Sequence, residues 1–409
     1  MTMTRLGEGA RLVTTHRRGG EPVATYAYRG QLVTVPAPPA PAVPAALPLQ
    51  GQDVFTLPYG PVRSGVFEAV QFVIETGGED VSRLSTRLGF KHRGMEARLR
   101  GLDADRGAYV AERIAGIASV AYATAYAQAV ERALGVEAPP RAQRWRVVYA
   151  ELERIANHLD VLAKEAETAA LAVATARFNI HKENVLRLQA AFTGSRFARG
   201  VIVPGGVRAD GRVDLDALLR VLDAFDGDLR HDRRMFLATG SQADRLVGTG
   251  VLPRELVERF GGVGPVARGS GISTDARHER PYGDYRRLGL EVITEEAGDA
   301  MARVLVRFGE LSESVRILRQ AIDHLRRRNG ELRVALPDAS GAAYGWAEAP
   351  QGEVVVWVEL DGGTIADAHF ATPDTRNWAL FEHAFPSDVL TDFAFIEHSF
   401  GLTPAGADR

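Results

Sequence analysis

The chain has 409 residues, 45% hydrophobic and 25% charged, with a net charge of −3 and no cysteine. This is an ordinary composition for a soluble globular protein, long enough for two or more sizeable cores, and it gives no whole-chain reason to expect a nucleic-acid partner. Without cysteine, disulfides, thiolate nucleophiles, thiolate zinc sites and self-ligated iron–sulfur clusters are excluded.

Residues 1–20 carry five basic side chains and no apolar h-region, so they do not read as a signal peptide. The run 23–35, VATYAYRGQLVTV, predicts a hairpin turning at Arg29-Gly30. The Pro/Ala-rich stretch 36–49 reads as a polyproline-like linker. Strand-like runs follow at about 66–75 and 80–88, and helical patterns dominate from about 108 to 330. Within them, ERIAGIASVAYATAYAQAVE (112–131) reads as one helix of mostly small side chains, which implies a close approach to its backbone. The stretch 139–164 opens with Pro139-Pro140 and places Trp145, Val148, Leu152, Ile155 and Leu159 on one stripe. Glu151, Arg154 and His158 share a polar face opposite it. A long helix near 291–328 stops at Asn329-Gly330, and a hairpin folded at Asp361-Gly362-Gly363 follows. The expected fold is α+β, a central bundle of long helices with β-structure at both ends. Residues 1–35 form a short β-rich segment, 36–59 a linker and 60–409 the main domain. No apolar run approaches the roughly 20 residues of a membrane span, so the chain is cytosolic by default and able to dock on a membrane-embedded partner.

Three stretches are too rich in turn and charge signals for plain scaffold. They are GFKHRGMEARL (89–99) with His92 and Arg93, TGSRFARGVIVPGGVRAD (193–210), and GVGPVARGSGISTDARHERPYGDY (262–285) with Arg268, Asp275 and Arg277. Singly, each also fits a structural brace: Arg196 and Arg277 can tie loops to nearby carboxylates. No metal-ligand spacing such as HExxH and no phosphate-binding P-loop is present.

Together and in this order, these segments, with AELERIANHL, GDAMAR and EAPQGE, resemble the large subunit of the energy-converting nickel–iron hydrogenases. Formate hydrogenlyase and the quinone-site subunit of respiratory complex I share that subunit. The resemblance runs from about Gly60 to Arg409, with residues 1–59 outside it as a remnant of the accessory domain that precedes this part in some relatives.

The resemblance implies the following. In the hydrogenases the segment matching RIAGIAS (113–119) has the form RxCGxC and supplies two thiolates to the metals; here Ala115 and Ala118 stand at those places, with Tyr122 at a nearby family histidine. A second thiolate pair corresponds to Thr403 and Gly406, and the arginine held over the metals to Gln351. Methyl groups and a glycine offer no soft anionic ligand, so no metal is expected in this chain. The complex I histidines are replaced by Arg63 and Ser64, and the tyrosine that binds the quinone head corresponds to about Gly116, so both usual headgroup partners are missing. Glu68 matches a proton-carrying glutamate; a relay carboxyl and a salt bridge to Arg63 or Arg93 are equally open readings. His92, Arg93, Tyr122, His158, Arg268, Asp275, Arg277 and Gln351 are expected to line the cavity or face a partner's cluster.

The implied function is a non-nickel large subunit of a membrane-associated, complex I-like oxidoreductase. It would bind no cofactor itself and would couple electrons from a 4Fe-4S cluster in a small subunit to proton or ion movement. Further expected partners are an accessory hydrophilic subunit and a membrane arm, at the cytoplasmic face of the membrane. The alternatives are a D-type subunit of NADH-quinone oxidoreductase that binds quinone with altered headgroup ligands, and an inert structural subunit. Asp408-Arg409 falls about where a mature hydrogenase subunit would end, so no removable extension is expected.

Overall fold

The computed structural model describes residues 10–18, 21–37, 54–63, 68–208, 214–327, 329–386 and 388–409. Strands β1 (Arg11–Arg18), β2 (Glu21–Tyr28) and β3 (Gln31–Pro36) form an antiparallel meander. Arg29 (φ 48°) and Gly30 (φ 72°) make its tight turn, both in the left-handed region that a twisted two-residue hairpin requires. This sheet is stitched to the C-terminal sheet. The Tyr344 hydroxyl lies 2.9 Å from the hydroxyls of both Thr25 and Thr34, and Arg11 pairs with Glu353 at 3.0 Å.

Strand β4 (Phe55–Tyr59) pairs with β5 (Gln71–Thr76), which pairs in turn with β6 (Val81–Arg87). Residues 55–59, read above as linker, therefore belong to the domain's sheet. Phe55, Thr56 and Tyr59 suit a strand, and Pro58 is tolerated because β4 is an edge. The linker stretch 38–53, and Ser64 with it, lies outside the described residues.

The short helices α1 (Met95–Leu99) and α2 (Ala104–Ala111) lead to α3 (Ser119–Ala133), α4 (Pro140–Thr168) and α5 (Ala172–Thr193). A two-stranded pair, β7 (Ile202–Val203) and β8 (Gly206–Val207), precedes α6 (Leu215–Leu237). The helices α7 (Gly240–Leu246), α8 (Arg254–Phe260), α9 (Gly264–Arg268) and α10 (Ala276–Glu279) precede the long α11 (Ala300–Arg327). Next comes a sheet of β9 (Gly341–Ala349), β10 (Gly352–Asp361) and β11 (Thr364–Ala371), and then α12 (Pro373–Phe381), α13 (Phe393–Phe400) and α14 (Pro404–Asp408). The fold is α+β, as expected.

Two helix starts differ from the sequence reading. The segment 112–131 is not one helix: Ile114 N–H and Ala118 N–H bond back only three residues, Ala118 leaves the helical region at φ −142° and ψ 37°, and α3 begins at Ser119. The cause lies on α4, where the Glu153 carboxylate accepts the freed Val120 and Ala121 N–H groups at 2.7 and 3.1 Å. The long helix starts at Ala300 rather than 291, because Gly298 is left-handed and Asp299 accepts the Ala302 N–H at 2.7 Å.

The thinness of α3 is explained by β9. A Cβ on Gly345 would sit 2.0 Å from the Ala125 carbonyl oxygen, and one on Gly341 would sit 2.2 Å from that of Ala133. Strand and helix backbones meet with no side chain between them. The main core fills the space between the long helices and the sheet β9–β11. A second core joins β5 and β6 to α8, α9, α12 and α13, through an aromatic cluster of Phe72, Trp378, Phe381, Phe385 and Phe393.

Candidate active cleft and its buried charges

The face of α4 bearing Glu151, Arg154 and His158 turns inward. With Arg268, Asp275, Arg277, Glu310 and Glu348, these side chains form an ionic core in which each is at most 2% exposed. Arg277 bonds Glu151 at 3.0 Å and Asp275 at 2.7 Å, while Arg268 bonds Glu310 at 2.7 Å and Glu348 at 2.9 Å. Glu151 also accepts from Tyr285 at 2.5 Å and from Ser314 at 2.6 Å. Burial alone would raise its carboxyl, but Arg277, Arg154 and these hydroxyls hold it below the usual range. Burial lowers His158 to about 4, so it is a neutral imidazole whose Nε2–H reaches Glu310 at 2.7 Å. Arg268, Asp275 and Arg277 thus spend their charges inside the chain, bracing α4, α9, α10, α11 and β9. They do not face outward toward a neighbour's cluster, contrary to the sequence reading.

The two segments that carry the positions matched to thiolates are tied together. Arg93 is the tie between them: its guanidinium donates to the Arg113 and Ile114 carbonyls at 2.8 and 2.6 Å and to that of Ala405 at 3.1 Å. The turn holding Ala115 and Ala118 is thereby bound to the start of α14, which holds Thr403 as its cap and Gly406. Tyr122, 1% exposed, stands between the two. His92 remains exposed at the rim, its Nδ1 2.8 Å from the Asp408 carbonyl. Gln351 is buried in the β9–β10 turn, with its Nε2 lacking a hydrogen-bond partner among the described residues.

Glu68 pairs with neither arginine suggested for it. Arg63 makes a two-point contact with Glu397 at 2.6 and 3.0 Å, and Arg93 serves carbonyls. Glu68 instead accepts the Thr403 hydroxyl proton. The same threonine's N–H donates to Asp374 Oδ1 at 2.7 Å. Asp374 was not singled out from the sequence. Thr372-Pro373 marks a helix start there, but nothing local indicates that the carboxyl turns into the cleft. A Cβ on Gly406 would lie 2.0 Å from Asp374 Oδ2, so this carboxyl occupies the room that a side chain at Gly406 would need. Burial, and then the charge of Glu68, pushes Asp374 up to about 7.

Two methyl groups, a threonine hydroxyl committed to Glu68 and a glycine whose side-chain space is filled do not fit a four-thiolate metal centre. Among the described residues, no group of three or more His, Cys, Asp or Glu side chains is placed to hold a metal ion. Beside the 113–118 turn lies a hollow of about 520 Å³, bordered by Gly116, Ile117, Glu153, Leu186 and Phe197. Ile117 and Phe197 are 39% and 45% exposed there. Burial raises Glu153 to about 8 against the pull of its two backbone N–H donors. No helix among the described residues is long and apolar enough to cross a membrane.

Residues 168–338 match the family model of the respiratory-chain NADH dehydrogenase 49 kDa subunit. The chain is 31% identical to the membrane-bound hydrogenase subunit alpha of Pyrococcus furiosus, over 75% of this chain and 76% of that one. It is 34% identical to the D-type subunit of NADH-quinone oxidoreductase from Saccharopolyspora erythraea, over 88% and 90% respectively. Among solved structures, a chain of the membrane-bound sulfane sulfur reductase, an archaeal respiratory membrane complex, superposes with a TM-score of 0.82 at 26% identity, covering 88% of this chain and 99% of that one.

Proposed function

The chain belongs to the family that joins the 49 kDa subunit of respiratory-chain NADH dehydrogenase to the large subunits of membrane-bound hydrogenases, and from that premise we propose that it is a hydrogenase-like large subunit working without nickel in a membrane-associated, complex I-like oxidoreductase. Its role is to shape the cavity beside a 4Fe-4S cluster held by a small subunit and to link electron arrival there to proton or ion movement. An accessory hydrophilic subunit and a membrane arm complete the assembly, docked at the cytoplasmic face.

One observation carries this reading. The family fold and the tie between the 113–118 turn and the C-terminal segment are kept, while the space at Gly406 is filled by the carboxyl of Asp374. A chain kept only as scaffold has no use for a buried carboxyl in that place, because an apolar side chain would fill it at lower cost.

Quinone reduction is the second reading, favoured by the 34% identity to a D-type subunit of NADH-quinone oxidoreductase. It is set back by the glycine at 116, which offers no headgroup donor. Electron paramagnetic resonance of the purified complex with and without added quinone separates the two. The proposed role predicts a partner-cluster signal unchanged by quinone. A signal shifted by quinone overturns it in favour of reduction at this cleft.

A further inference from the structure

Two carboxyl groups meet at one threonine in the cleft, and no cation among the described residues pairs with either. Thr403 donates its hydroxyl to Glu68 and its N–H to Asp374 Oδ1 at 2.7 Å. Asp374 is 1% exposed, at the second position of α12. Its other oxygen occupies the space left by Gly406, and it is faced by the buried Tyr122 hydroxyl, which lies between Asp374 and Thr372. The charged groups around the pair are few. Arg409 acts on Tyr122 but bonds Glu96 at 3.2 Å, and Arg93 is committed to three carbonyls. Two like charges this close, one of them fully buried, cannot both be held at low cost, and a shared proton is the simplest relief.

We propose that Glu68 and Asp374 form a carboxyl pair that holds one proton between them, bridged by Thr403, in the cleft where the hydrogenases place thiolates. The proton rests on Asp374, the more buried partner, where it can hydrogen-bond toward the Tyr122 oxygen. Glu68, half-buried, is the member that exchanges protons with the outside. No electron changes hands in this step: Glu68 takes up a proton from water, and the proton passes to the Asp374 carboxylate, leaving Glu68 ionised again. Gly406 is part of the device, since any side chain there would expel the Asp374 carboxyl. This inference rests on reading the cleft as proton-coupled, and it names the groups that hold the proton.

The test is infrared spectroscopy of the purified resting complex, following the carbonyl stretch of protonated carboxyl groups from mildly acidic to mildly alkaline buffer. The wild type is expected to show a band that disappears with a midpoint near pH 7. The band is expected to be lost in Asp374→Asn and to be kept in Glu68→Gln with its midpoint moved to lower pH, because the neighbouring charge is gone. No such band in the wild type, or a band untouched by Asp374→Asn, overturns the assignment. An unchanged midpoint in Glu68→Gln overturns the pairing, and that arm decides the matter even where Asp374→Asn does not assemble. The readout needs no turnover. A missing band therefore sinks the carboxyl pair while leaving the proposed role standing, and a quinone-shifted cluster signal beside an intact band does the reverse.

Discussion

Asp374 and His158 are both buried ionisable side chains, yet their effects on stability run in opposite directions with pH. Asp374 is raised to about 7, so it favours the folded chain below the ordinary carboxyl range, and that contribution is lost as pH rises through 7. His158 is lowered to about 4, so its contribution is present above the usual histidine value of about 6.5 and is lost as pH falls through 4. Each group bends the stability curve by up to about 1.4 kcal/mol per pH unit within its window. Thermal unfolding of the purified chain across this range is expected to show Asp374→Asn flattening the neutral side and leaving the acid side alone; an unchanged neutral limb in the variant would contradict the burial of that carboxyl. At this scale the sequence was partly legible. Ala115, Ala118, Thr403 and Gly406 were singled out because ordered motifs frame them. Asp374 and Glu153 could not, because each acts on backbone about thirty residues away, on a different helix. The inward turn of Glu151, Arg154 and His158 was also hidden, since a polar stripe looks the same whether it meets water or a second set of buried charges.

Between elements, the decisive contacts are backbone against backbone and charge against charge. Gly345 has no room for a methyl group, its nearest obstacle being a helix carbonyl. Gly345→Ala is expected to cost at least about 1–3 kcal/mol by forcing β9 off α3, measured by denaturant unfolding; a neutral result would show that the two elements can separate freely. Arg268 joins Glu310 on α11 to Glu348 on β9 at no exposure. Arg268→Ala strips Glu348 of its bonded arginine and leaves Glu310 to His158 and Arg154, and a loss of about 3–5 kcal/mol is expected, read as a lower unfolding midpoint or insoluble chain. Full stability in that variant would mean that the ionic core is ornamental. The hairpins at Arg29-Gly30 and at Gly362-Gly363 were legible, because left-handed turn residues sit between alternating strands. The break before α3 was not, because alanines favour helix and the interrupting carboxyl comes from α4. The strand at 55–59 was hidden by the proline-rich stretch that precedes it.

For the whole molecule, the proposed role needs the family fold without the thiolates that hold nickel and iron. The chain carries no cysteine to hold a cluster of its own, so a redox role requires a neighbour that does. Family membership was legible from ordered motifs spread over most of the chain. The refilled cleft was not, because it depends on four segments distant in sequence that only the fold brings together. The most direct measurement is metal analysis of the complex gently extracted from its native membranes by way of this chain. The expected result is iron, contributed by a co-purifying iron–sulfur subunit, with nickel far below one atom per chain. Stoichiometric nickel, or a chain that emerges alone without iron, would contradict it.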